Sequence, residues 1–162
     1  MKTLLLMRHA KSDWDDAGVS DHDRPLNGRG QRAAPQMAAL LIAEKLTPDL
    51  ILSSTALRAR TTALAVAEAA GWKPEVRLRH ALYLADPARI VHEIVRIPRD
   101  VGCLLVVGHN PGMEDLVSDL SMMRQAMPTA AIARFAFPIG SWDELPAARA
   151  EQVHVWRPRD GA

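Results

Sequence analysis

The chain has 162 residues, 48% in the hydrophobic set and 24% charged, the make-up of a globular protein with a sizeable core rather than a disordered one. Its 20 Lys+Arg against 19 Asp+Glu leave a formal net charge of +1, without the basic excess of a protein that coats nucleic acid. The single cysteine excludes an intramolecular disulfide and any multi-cysteine zinc site.

This length predicts one domain spanning residues 1–162. The first apolar run, Leu4-Leu5-Leu6-Met7, is cut by Arg8, His9, Lys11 and Asp13. A signal-peptide core needs about 7–15 apolar residues and a membrane span about 20. The expectation is a soluble, cytoplasmic chain with no membrane partner and no nucleic-acid partner.

In chain order, Leu4 to Met7 predicts a buried strand. Gln31 to Lys45 predicts a helix, with Ala33, Met37, Leu40, Leu41 and Ile42 near helical spacing and Pro35 in its first turns. Asp49 to Ser53 is a second strand, and Ala56 to Ala70 a helix that stops at Gly71. A weak strand follows around Val76 to Leu82. Asp86-Pro87 opens a third helix, Asp as the cap and Pro in the first position. Cys103 to Val107 is the third apolar strand, its cysteine a small hydrophobe rather than a reactive thiol. Asn110-Pro111-Gly112 opens a fourth helix with Met113, Leu116, Val117 and Leu120 inward. Ala131 to Phe137 and Gln152 to Trp156 alternate and read as strands at the sheet edge, open to antiparallel pairing.

Continuous apolar strands suit a sheet covered on both faces. The order therefore predicts an α/β three-layer sandwich, a mostly parallel sheet with helices on both faces. Ligands in such sheets bind beyond the carboxyl ends of the strands. Those ends carry Arg8-His9-Ala10-Lys11-Ser12, Ser53-Ser54-Thr55-Ala56-Leu57-Arg58 and Gly108-His109-Asn110-Pro111-Gly112. A histidine at one strand end is ordinarily structural, and an arginine at one helix start ordinarily solvated. Gathered together they describe an anion site: cations at helix N-termini, guanidinium forks that match phosphate, and an imidazole able to attack phosphorus.

The run Met7-Arg8-His9-Ala10-Lys11-Ser12-Asp13-Trp14 resembles the signature of the histidine phosphatase superfamily, also called phosphoglycerate mutase-like. Ala10 stands where the usual signature has glycine, and Arg-His-Ala-Lys-Ser is similar to the short SixA-type phosphohistidine phosphatase branch. The likeness continues through Asp23 to Gly30, Ser53 to Ala63, Val107 to Gly112 and Met127 to Ala131, in order along most of the chain. The resemblance implies that His9 attacks phosphorus and carries the phosphoryl group. It implies that Arg8 and Arg58 hold the equatorial oxygens, and that His109 also binds phosphate and stabilises the transition state. In-line phosphoryl transfer needs a nucleophile and positive donors placed in advance. The arginines and His109 supply that charge, so no metal and no cofactor are expected. His9 should be neutral at the attacking nitrogen, with its other ring nitrogen donating to a carbonyl or carboxylate. His109 is open to protonation beside a dianion.

The pattern departs from many relatives at Leu82-Tyr83-Leu84-Ala85-Asp86, where Leu84 stands in the place of an acidic proton donor. Asp86 reads first as a helix cap. Asp13, Asp15, Asp16, Asp21 and Asp23 lie in the loop after His9, and any of them is a candidate to reach the leaving group. An alkoxide leaving group needs a proton far more than an imidazole does, so the missing acid favours a phosphoramidate substrate. The chain is also short of insertions that would enclose a small molecule or the bisphosphate of a mutase. The loop from Ser12 to Arg29, with Trp14, His22 and Arg24, is the expected source of substrate contacts. The expectation is a metal-independent phosphatase acting on phosphohistidine of a partner protein. The alternatives are a phosphatase of a small phosphoester, such as a sugar phosphate or nucleotide, and a non-catalytic phosphate-binding module.

Overall fold

The structure is a computed structural model that describes residues 1–71 and 74–158, so residues 159–162 of the expected domain lie outside it. Its strands are β1 (Lys2–Arg8), β2 (Leu50–Ser53), β3 (Glu75–Leu78), β4 (Cys103–Gly108), β5 (Ile132–Phe137) and β6 (Gln152–Trp156). The helices are α1 (Gly28–Ala43), α2 (Leu57–Ala69), α3 (Pro87–Ile94) and α4 (Gly112–Ser121). The strands form one six-stranded sheet in the order β3-β2-β4-β1-β5-β6. The pairs β2–β3, β2–β4 and β1–β4 are parallel, while β5 runs antiparallel to β1 and to β6. This is the expected α/β architecture, with the antiparallel strands at one edge.

β1 has no polar face because both of its faces are covered. Leu4 and Leu6 enter one core with Ile90, Ile94, Leu116 and Val117 of α3 and α4. Leu5 and Met7 enter the other with Met37, Leu41, Ala63 and Val66 of α1 and α2. Alternating Cβ directions along a strand make that division automatic.

The helix starts follow local chemistry. The Asn27 side chain accepts from Gly30 N at 2.9 Å, so α1 begins at Gly28, ahead of the Gln31 start expected from periodicity. Pro35 lies inside α1. Asp86 caps α3 by accepting from Arg89 N at 2.9 Å, with Pro87 in the first turn. Gly112 opens α4 where an added Cβ would meet Ala85 O at 1.8 Å, so only glycine lets the two backbones approach this closely. The weak strand is shorter than expected. It ends at Leu78, and a 3-10 turn from His80 to Leu82 replaces its second half.

Candidate active site

Parallel pairing sets the carboxyl ends of β1, β4 and β2 side by side. Arg8 pairs with Gly108 and Ser53 with Val107. The chain leaves β1 through His9, whose N–H donates to Gly108 O at 3.0 Å, and leaves β2 through Ser54, whose N–H donates to Val107 O at 3.1 Å. The next residue of β4's strand is His109, and the first turn of α2 carries Arg58. His9, Arg58 and His109 are 6%, 2% and 2% exposed, so all three polar side chains face inward at the sheet edge. The structure thus brings together all four residues singled out by sequence.

His9 is held in one tautomer. Its Nδ1 lies 2.7 Å from Ala10 O, so Nδ1 carries the proton and Nε2 keeps the lone pair, the arrangement expected of an attacking imidazole. Arg58 Nε donates to Nε2 at 3.3 Å. The His109 ring stands beside it, 5.1 Å between centroids. His109 Nε2 lies 2.8 Å from Ser54 Oγ, whose oxygen accepts from Ala56 N at 3.2 Å, so the hydroxyl proton is turned to Nε2 and the His109 proton sits on Nδ1. Arg8 gives Nη1 to Met127 O at 3.3 Å. Two buried nitrogens, Arg8 Nε and His109 Nδ1, have no partner among the described residues. A buried donor left unpaired is costly unless a ligand atom satisfies it.

Burial, opposed by the Ala10 carbonyl and reinforced by Arg58 and Arg8, pushes His9 down to about 3. Burial, then His9 and Arg58, pushes His109 down to about 3 as well. Both imidazoles are therefore neutral at pH 7 in this structure. The protonated His109 expected beside a dianion is not the state that these surroundings favour by themselves; an anion acts in the opposite direction.

The acidic loop resolves into one residue that matters here. The Ser12–Leu26 bridge and a 3-10 turn from Asp21 to Asp23 fold the loop back over the sheet edge. Arg58 Nη1 donates to Asp21 O at 2.6 Å and Nη2 to Asp21 Oδ2 at 3.1 Å. Arg24 donates to Asp21 Oδ1 through Nε at 3.1 Å and Nη2 at 3.0 Å, and the Tyr83 hydroxyl donates to Oδ2. Burial alone would raise the Asp21 carboxyl, but the bonds from Tyr83, Arg24 and Arg58 outweigh it and hold it well below the usual carboxylate range. Asp21 is thus an ionised anchor and no proton donor. Sequence reasoning placed it among five equivalent aspartates; its signal was Arg24 three residues on.

The other expected loop contacts divide. Arg24 is 7% exposed and spent on Asp21, Ser12 Oγ at 2.6 Å and Asp13 O at 3.4 Å. Trp14 covers it, with the guanidinium carbon 3.4 Å from the ring centroid. His22 stands at the rim, edge-on to Tyr83 at 4.9 Å, and Tyr83 is edge-on to His109 at 5.5 Å. Leu84 is 57% exposed at φ 51°, and Asp86 is committed to capping α3. Burial and then Asp49 push the Cys103 thiol up to about 12, so it is no nucleophile.

The model of the histidine phosphatase superfamily (branch 1) matches residues 4–83. An uncharacterised protein of Mycobacterium tuberculosis is 35% identical over 94% of this chain and 100% of its own length. The solved structure of a candidate phosphohistidine phosphatase SixA from Nakamurella multipartitia superposes with a TM-score of 0.84 at 31% identity, covering 97% of this chain and 96% of that one. A mycobacterial glucosyl-3-phosphoglycerate phosphatase in complex with VO3 has a TM-score of 0.71 at 19% identity over 98% of this chain and 100% of that one, a likeness of fold alone.

Proposed function

This chain belongs to the histidine phosphatase superfamily and is a phosphatase, and from that premise we propose that it works through a phosphohistidine on His9, with phosphohistidine on a partner protein as its substrate. The observation that carries the mechanism is the state of His9. Its proton sits on Nδ1, its Nε2 lone pair accepts from Arg58 Nε, the His109 ring stands 5.1 Å away, and Arg8 Nε and His109 Nδ1 are buried without a partner among the described residues. These are the requirements of in-line transfer: a neutral nucleophile and donors fixed before charge develops.

In the first step His9 Nε2 bonds to phosphorus as the bond to the leaving group breaks. Arg8, Arg58 and His109 hold the phosphoryl oxygens, so the charge is met without a metal or cofactor. Ser54, whose hydroxyl faces His109 Nε2, fixes that ring. Asp21 is a positioning residue: it ties down both outer nitrogens of Arg58 and leaves Nε turned to His9. In the second step water attacks phosphorus and His9 Nε2 departs.

The substrate reading rests on the proton inventory. Leu84 has no proton to give, Asp86 caps a helix, and Asp21 is clamped as an anion. A phosphoramidate is the phosphoryl donor least dependent on a carboxylic acid. The second reading, a small phosphoester such as a sugar phosphate, draws on the fold shared with the glucosyl-3-phosphoglycerate phosphatase. We take residues 1–162 as one domain in either case.

The test is His9→Ala. Turnover should vanish while the fold persists, and wild-type protein quenched in alkali during turnover should carry acid-labile phosphate. Full activity in the variant overturns the mechanism.

A further inference from the structure

Beside the phosphate donors lies a second cluster of titratable groups that the mechanism above leaves unused. The His22 ring has Nδ1 3.3 Å from Asp23 Oδ1 and Nε2 2.8 Å from Thr55 Oγ1. Thr55 Oγ1 lies 3.2 Å from His80 Nδ1. The sequence therefore assembles carboxylate, imidazole, hydroxyl and imidazole in a line, from three segments. Asp23 and His22 come from the loop after His9, Thr55 follows β2, and His80 opens the 3-10 turn after β3. His80 Nε2, at the end of the line, has no hydrogen-bond partner among the described residues, and His80 is exposed.

The cluster sits on the outer side of the site. Tyr83 is the common neighbour: its ring contacts His22 at 4.9 Å, His80 at 5.9 Å and His109 at 5.5 Å. His9 is buried, so an in-line displacement sends the leaving group away from it toward solvent, and the exposed His80 joins the site through Tyr83. The other charged or titratable groups facing the cluster are Asp21 and, behind it, Arg58 and Arg24. None of them is a free acid. Asp21 is ionised, the guanidiniums do not give up protons, and the Tyr83 phenol is raised by burial and by Asp21.

We propose that His80 protonates the leaving group, with Thr55 and His22 as the positioning residues that feed it, in the place of the carboxylic acid that Leu84 does not supply. The proposal rests on the reading of His9 as nucleophile. In the first step the Nε2–P bond to His9 forms and the bond from phosphorus to the leaving atom breaks. The leaving atom takes the proton of His80 Nε2. His80 Nδ1 takes the Thr55 hydroxyl proton, and the Thr55 oxygen takes the proton of His22 Nε2. His22 enters this step with protons on both ring nitrogens, Nδ1–H on the Asp23 carboxylate, and leaves it neutral. Each of three protons moves one place, the net transfer is one proton from His22 to the leaving group, and it returns by the same line when water attacks the phosphohistidine. An imidazole acid matches an imidazole leaving group in proton affinity, the condition under which a general acid works well at neutral pH. The rim thus deepens the phosphohistidine assignment.

The experiment is phosphoenzyme formation in single turnovers by His80→Gln and His22→Gln with three donors: a phosphohistidine peptide, phenyl phosphate and p-nitrophenyl phosphate. The nitrophenolate leaves without a proton. His80→Gln should slow phenyl phosphate most, by about 10²–10³-fold, the phosphohistidine peptide by about 10-fold, and p-nitrophenyl phosphate by less than about two-fold, with His22→Gln showing the same order and a smaller loss. An equal loss on all three donors gives His80 a structural role and overturns the proposal, as does no loss on any. His9→Ala assayed with p-nitrophenyl phosphate tests the nucleophile separately, so failure of one reading is distinguishable from failure of the other.

Discussion

In the proposed mechanism, Asp21 and Arg58 illustrate how a residue outside the reacting atoms controls one within them. An arginine reaching a nucleophile across a sheet edge has several free torsions, and Asp21 removes them with one carboxylate oxygen on Nη2 and its backbone carbonyl on Nη1. Asp21→Ala should leave Arg58 held by the backbone carbonyl of residue 21 alone and lower kcat/KM by about 10–100-fold, mostly through kcat, since the lost property is orientation. Asp21→Glu should recover part of it, and vanadate affinity measured alongside separates binding from turnover. A silent Asp21→Ala removes the positioning role. His9 and His109 set a second expectation. Both are depressed to about 3 in the folded protein against about 6.5 for a free imidazole. Between those values the unfolded chain binds protons that the folded one refuses, so stability falls as pH drops from about 6.5 toward 3. Asp21, also depressed, adds its own loss at still lower pH. Each imidazole contributes on the order of 1 kcal/mol per pH unit in that window. Urea midpoints of wild type and His109→Asn from pH 7 to 4 check this, and the variant should show about half the acid slope.

Caps and close approaches decide where the elements stop, and they separate structural from chemical aspartates. Asp86 accepts from Arg89 N and faces no reacting atom, so Asp86→Ala should cost about 1 kcal/mol of stability while kcat stays within about two-fold. Asp86→Asn, which still caps, should be nearly silent in both thermal unfolding and turnover; a large loss of kcat would restore it as a proton donor. The same contrast explains what was legible in the sequence. β1, β2 and β4 announce themselves because each is buried on both faces and bounded by polar residues. Arg8, His9, Arg58 and His109 follow, since strand ends in a parallel sheet are where chain direction alone gathers them. Which of the five loop aspartates matters, and the places of Thr55 and His80, stayed hidden for a physical reason. Their meeting depends on the Ser12–Leu26 bridge and on a turn that replaces the end of an edge strand, and neither carries a hydrophobic period. The edge strand β3 is half exposed along its length, so its end had no apolar run to mark it.

At the scale of the molecule, the sheet's carboxyl edge carries few walls. β2 reaches α2 through residues 54–56 and β4 reaches α4 through residues 109–111; beside the shorter 79–86 and 122–131, the longest connection there among the described residues is 9–27. That connection is occupied with itself and with the arginines: Arg24 under Trp14, Asp21 on Arg58, His22 on Thr55. A groove of about 720 Å³ does exist, but it lies between α3, α4 and the turn around Leu145, and includes none of Arg8, His9, Arg58 and His109. Small-molecule sites ordinarily bury 70–90% of the ligand, which requires walls on several sides, whereas a phosphate displayed on a protein surface needs only the phosphate to enter. The expected outcome is that kcat/KM for phosphohistidine on a folded domain stays within about 10-fold of that for the same residue on a short peptide, because nothing at the rim must open to admit the larger body. Sugar phosphates and nucleotides should be slower than both, and slowest where the leaving group is most basic. The comparison is made with one enzyme preparation at one pH, following phosphate release. A sugar phosphate that turns over faster than every phosphohistidine substrate, with the folded domain left untouched, would assign the site to small phosphoesters and require loop 9–27 to close over them.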